Sequence, residues 1–163
     1  MTAAHEQVGA HAVSRRLQET IAYPDHDPRK ESAEYVRVHH HLVVELDEAC
    51  WICGIRNSTL HDPVLNPHGA TQLETHHFHL EWALANAADP AKVLADFPEM
   101  GAADEEHLRA WLDSPDQMLV LCDVHHRHGH YGIHSITHPA WVAQRLLRSD
   151  WDLVTGETKG AAS

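Results

Sequence analysis

Cys122-Asp123-Val124-His125-His126-Arg127-His128-Gly129-His130 brings one cysteine and four histidines into nine residues. Two residues separate Cys122 from His125, a spacing that lets one turn of chain grip one ion from two sides. Far upstream, Cys50-Trp51-Ile52-Cys53-Gly54 repeats the spacing, with glycine where a tight knuckle needs an unusual backbone angle. Together the two pairs supply three sulfurs and one nitrogen, the donor set of a closed structural zinc site. A redox pair at Cys50 and Cys53 is the competing assignment, but such a pair opens a long helix. Here Gly54 and a loop containing Asn57, Pro63, Asn66, Pro67 and Gly69 follow it instead.

Working outward, Met118-Leu119-Val120-Leu121 before Cys122 has the length and composition of a short buried strand. Asp123 to about His130 is then predicted as a helix, which places His126 and His130 on one face. Gln72 to Leu80 is a second predicted strand and carries Glu74-Thr75-His76-His77-Phe78-His79. Successive side chains on a strand point to opposite faces. His76 is therefore expected to face an ion with His126 and His130, while His77 points elsewhere to hold a water. Three neutral imidazoles leave coordination positions open, as a catalytic site requires and a closed structural one does not.

Helices are predicted over Ala12–Ile21, Glu31–Glu48, Leu80–Ala95 with a break at Asp89-Pro90, Glu105–Leu112 and Pro139–Leu147. The domain limits follow: a polar arm at 1–30, a main domain at 31–154 with a helical insertion at about 80–113, and a flexible tail at 155–163. His39, His40 and His41 lie inside one helix and are read as surface residues. His128, His134 and His138 are read as surface or packing residues, with His134 near enough to the site to touch substrate. Arg127 is a candidate phosphate contact or a solvated arginine, and the five tryptophans are read as packing anchors.

The bulk numbers narrow the class. The chain has 163 residues, 43% of them hydrophobic and 22% charged, which suits one globular domain. Three cysteines do not close a disulfide framework. The apolar runs are too short to cross a bilayer. The first residues show no basic segment followed by an apolar one, so the cytoplasm is the expected location. A net charge of −12 works against nucleic-acid binding, which normally relies on a basic stripe. Bound divalent metal offsets this locally, and net charge does not describe one face.

In order and spacing, Cys-x-x-Cys-Gly, then His-His-hydrophobic, then an apolar strand into Cys-x-x-His-His-x-x-x-His resembles the HNH (ββα-metal, His-Me finger) endonuclease family. The resemblance covers roughly residues 45–135 and is narrowest to the zinc-knuckle members of bacteria and phages. It implies an α+β fold: a small ββα-metal, treble-clef-like core with a structural zinc knuckle, surrounded by helices. It implies hydrolysis of phosphodiester bonds in nucleic acid, DNA before RNA, with one catalytic divalent ion: Mg2+, Mn2+, Ni2+ or Zn2+. Residue by residue, Cys50, Cys53, Cys122 and His125 correspond to the zinc ligands, and His76, His126 and His130 to ligands of the catalytic ion. His77 corresponds to the general base. Gln117 stands where the family has an asparagine that orients the base-bearing loop, with Asp116 as the alternative orienter. The competing function is a non-catalytic zinc module for DNA or protein. His79-Leu80-Glu81 mimics the His-x-Glu of zinc deaminases, but here the cysteine pair precedes it instead of following. No Gly-rich phosphate loop is present. Oligomeric state stays open.

Overall fold

A computed structural model of the chain describes residues 20–129, 132–135 and 146–151. It is a mixed helix and strand fold built around one two-stranded sheet. Helix α1 (Ala33–His40) starts at Ser32, whose side chain accepts the Tyr35 N–H, and continues as a π-turn over His41–Glu45. Strand β1 is Leu73–His77; α2 is Pro90–Asp96 and α3 is Glu105–Leu112. Strand β2 (Met118–Cys122) runs directly into α4 (Asp123–Arg127).

The strands are antiparallel, with Leu73 opposite Cys122 and His77 opposite Met118. All five residues of β1 are buried although four of them are polar. A buried polar strand needs partners on both faces, and those partners build the candidate site described below. The strand is shorter than the predicted Gln72–Leu80. At Phe78 the backbone N–H still reaches the Gln117 carbonyl, but the next N–H, of His79, turns to the Gln117 side chain.

The buried apolar residues form two clusters. Val38, Leu42, Leu73, Val120, Leu121 and the cysteines Cys50 and Cys122 form the first. The second, of Leu80, Leu84, Leu108, Trp111, Leu112, Leu146 and Leu147, gives the 80–112 segment a core of its own. Leu80–Ala95 is not one helix. A 3-10 turn at Trp82–Ala87 precedes α2, and the predicted break is a start signal: Asp89 caps Ala91 N–H at 3.0 Å and Pro90 opens the helix.

Two further expectations are corrected. Trp51 is 64% exposed, tilted against Phe78, and is no core anchor, whereas Trp111 is. His39 packs against Tyr35 and lies 3.3 Å from Thr75 Oγ1, while His40 and His41 do face outward and pair with Glu45. Most of the predicted helices over Ala12–Ile21 and Pro139–Leu147, Trp141, and the 155–163 tail lie outside the described residues; the described ends of those helices, Thr20 and Ile21, are not helical, and Leu147 bridges to Ala88. Among the described residues no helix is long and apolar enough to cross a membrane.

Candidate functional site

Cys50, Cys53, Cys122 and His125 converge as the spacing requires, with ligand atoms all within 4.8 Å of one another. Gly54 adopts φ +77°, the left-handed angle that lets the knuckle close without a Cβ penalty, and donates its N–H to the Cys50 carbonyl. Cys122 caps α4, its Sγ accepting from His125 N–H at 3.5 Å, so the strand end and the helix start present one ligand each. Zn–S bonds of about 2.3 Å in a tetrahedron set sulfurs about 3.8 Å apart and sulfur and nitrogen about 3.6 Å apart. Cys53 and Cys122 sulfurs are 3.9 Å apart; His125 Nδ1 lies 3.8 Å from the Cys50 sulfur and 3.1 Å from that of Cys122. Burial pushes the Cys122 thiol up to about 12, against the His125 N–H and with the Cys50 and Cys53 sulfurs adding to the rise. Three sulfurs this close can shed their protons together only against a cation, so the donor set fits zinc. All three cysteines are free, and no Cys50–Cys53 disulfide forms.

A second cluster joins His76, His126 and His134, again with ligand atoms within 4.8 Å. Ring centroids are 5.2 Å apart for His76 and His126 and 4.8 Å for each of the other two pairs. His126 Nδ1 is held by Glu74 Oε2 at 2.6 Å, and the same oxygen accepts Arg127 Nε at 2.8 Å while Gln72 holds the other oxygen. With its Nδ1–H committed to a carboxylate, neutral His126 offers its Nε2 lone pair inward, and His134 Nε2 lies 3.0 Å from it. An imidazole oriented by a carboxylate in this way is the usual support of a metal ligand. His76 is 3% exposed, and its Nε2 is buried without a hydrogen-bond partner among the described residues. Burial, reinforced by the neighbouring His134 and His126, lowers the His76 pKa to about 3, so the ring is neutral and its lone pair available. An orphaned imidazole nitrogen facing two others fits a divalent ion of the borderline type.

Among the described residues the third imidazole of this cluster is His134, which reads in the sequence as a surface or packing residue. Helix α4 stops at Arg127 and His128 is extended, short of the predicted end near His130, which itself lies outside the described residues. The chain instead folds back at Gly132, whose N–H bonds the His128 carbonyl at 2.8 Å. A Cβ at Gly132 would lie 2.5 Å from His128 N, so only glycine permits the approach that delivers His134.

His77 stands apart from both clusters, as strand alternation predicts, yet lines the same pocket as His76, His126 and His134. It is 4% exposed, stacks on Tyr35 at 5.9 Å, and places Nε2 3.3 Å from Asp113 Oδ1; Ser32 Oγ donates to Asp113 Oδ2 at 2.6 Å. Burial lowers its pKa, and the Asp113 hydrogen bond partly restores it. The carboxylate beside His77 is thus Asp113, at the end of α3; Asp116 is exposed. Neither Asp113 nor Ser32 carries a local motif that marks it.

Gln117 is fully buried. Its Oε1 accepts the His79 N–H at 2.8 Å and its Nε2 donates to the Leu80 carbonyl at 2.6 Å, so one amide pins the chain that leaves β1. Gln117→Leu orphans both backbone groups and is expected to destabilise the protein by about 2–5 kcal/mol, read from urea unfolding. A loss under about 1 kcal/mol would show that the pinning is incidental.

Set against known proteins, the chain matches no family model, no curated protein and no solved structure.

Proposed function

We propose that the chain is a metal-dependent endonuclease of the HNH type, hydrolysing phosphodiester bonds in nucleic acid, with DNA as the first substrate to try. The observation that carries this reading is the orphaned Nε2 of His76, facing His126 and His134 in a pocket that also holds a buried, carboxylate-backed histidine. The succession β1, β2, α4 with a Cys3His knuckle at its base supports a ββα-metal, treble-clef-like core. Cys50, Cys53, Cys122 and His125 hold a structural zinc. His76, His126 and His134 hold the working ion, in place of the expected His76, His126 and His130.

When bound, a divalent ion supplies charge neutralisation for the phosphorus-centred transition state and for the leaving 3′ oxygen. The protein does the rest. Asp113 fixes the Nε2–H tautomer of His77, which leaves Nδ1 to take a proton from the attacking water. Glu74 holds the His126 ring in line, and Gln117 holds the backbone that follows His77. The base and the ion-facing ring come from adjacent residues of one strand, so their separation is set by the backbone rather than by mobile loops.

The test is nicking of supercoiled plasmid by protein stripped of exchangeable metal, with Mg2+, Mn2+, Ni2+ or Zn2+ restored, beside measured metal content. Metal-dependent nicking and two ions per chain, falling to one in His126→Ala, are expected. Absence of nicking with every ion, from protein that retains its knuckle zinc, would leave the non-catalytic zinc module as the better reading.

A further inference from the structure

The pocket lined by His76, His77, His126 and His134, and also by His26, is about 230 Å³ and has a polar neighbour of about 300 Å³ between the lead-in to α1 and strand β1. Arg29 and His126 line both, and the second is also lined by Arg127, His39, Gln72 and Glu74. Arg29 is therefore the cation at the junction. Its guanidinium lies 4.8 Å from the centre of the Tyr35 ring, and Tyr35 is anchored by its hydroxyl to the Thr75 carbonyl while stacking on His77. The guanidinium makes no hydrogen bond or ion pair among the described residues. Arg127, 69% exposed, commits its Nε to Glu74. Glu74 is itself saturated by His126, Arg127 and Gln72, so it presents little free negative charge to the second pocket. Glu31 on the rim is the carboxylate that an anion has to pass.

An unpaired arginine is conspicuous in a chain with 24 acidic and 12 basic residues. Guanidinium groups bind phosphates through paired N–H donors in a fixed fork, and stacking on an aromatic face leaves that fork available.

We propose that the second pocket is a subsite for a neighbouring phosphate, gripped by Arg29 and Arg127, so that the substrate is a polynucleotide strand and not an isolated phosphodiester. The proposal rests on the nuclease reading for the identity of the first pocket. It also accounts for how so acidic a protein engages a polyanion: through two placed arginines and the ion-facing histidines, not through a basic surface.

The experiment uses full-length, zinc-loaded protein carrying His77→Ala, which removes turnover. Binding of a fluorescein-labelled thymidine decanucleotide is followed by anisotropy across salt concentrations, and binding of thymidine dinucleotide and trinucleotide, with one and two phosphodiesters, by calorimetry. Two phosphate contacts on a single strand give a slope of log affinity against log salt of about −1.4. Arg29→Ala is expected to bring the slope to about −0.7, to weaken decanucleotide binding about tenfold, and to erase the advantage of the trinucleotide over the dinucleotide. Arg29→Lys restores the slope and only part of the affinity, because lysine keeps the charge and lacks the fork. An unchanged slope, or a trinucleotide advantage that persists in Arg29→Ala, would overturn the subsite. The two readings fail separately. Arg29-dependent binding by a protein that never nicks DNA removes the nuclease and keeps the subsite; nicking with Arg29-independent binding does the reverse.

Discussion

His77→Ala is expected to lower metal-dependent nicking by about 10²–10⁴-fold, the range that a positioned general base contributes. Both ion contents should stay at the parent level, because His77 belongs to neither ligand cluster. The side chain is nearly enclosed between Tyr35 and Asp113, so removing it also costs packing, on the order of 1–3 kcal/mol. His77→Gln keeps most of the buried volume and separates the two effects: a base role predicts the same rate loss with a smaller stability loss. Asp113→Asn refines the point. Outer carboxylates that orient an imidazole are worth about 10–100-fold in activity, and the Asp113 hydrogen bond raises the His77 pKa against the dominant lowering by burial. Losing that bond moves the His77 pKa lower still, so the acidic limb of the rate profile shifts to lower pH while the rate at neutral pH falls. A merely structural role for Asp113 predicts a rate loss with the limb in place. Nicking by His77→Ala within a few-fold of the parent would remove His77 from the chemistry.

What could be read from the residues beforehand was what is local. Cys50 and Cys53, and likewise Cys122 and His125, announce a shared ion because two intervening residues fix their separation whatever the surroundings. Helix α3 matches its predicted Glu105–Leu112 limits because Asp104 caps it and Leu108, Trp111 and Leu112 recur at helical spacing. The third imidazole that the described residues bring to the cluster, His134, is not the one that helical spacing picks out, for an equally physical reason. Helical spacing favours His130, but Gly132 brings the chain back onto the end of α4 and delivers His134, and such a close approach leaves no periodic trace in the sequence. Asp113 was missed because its contact to His77 spans 36 residues and is set by where the second apolar cluster seats α3. The 80–113 segment, which reads in the sequence as an insertion into a compact core, thus supplies the carboxylate that backs His77. Gln117 was singled out by its position, and the structure gives it two backbone bonds that a shorter amide would reach differently.

Removing the knuckle ion should have the largest effect on folding. Cys50 and His125 are 75 residues apart, and Cys53 and Cys122 are 69 apart, so one ion held by this cluster would close loops that account for much of the chain. Structural zinc in small domains contributes about 10–16 kcal/mol at neutral pH, as much as the whole stability of a typical domain, about 5–15 kcal/mol. The first apolar cluster has little to set against that loss, because Cys50 and Cys122 are themselves among its buried members. Cys122→Ser, or chelation strong enough to take the knuckle zinc, is therefore expected to unfold the β1–β2 pair and α4, with amide protons from Leu73 to His77 and Met118 to Cys122 losing protection from hydrogen exchange. The second cluster contains no ligand, and α2 and α3 pack on Leu84, Leu108 and Leu112, so protection there should outlast the knuckle. The order of loss is the informative result. Sheet protection that survives complete zinc removal would mean that the Cys3His cluster carries no folding energy, and Gln117 and the apolar residues of β2 would then have to hold the site together unaided.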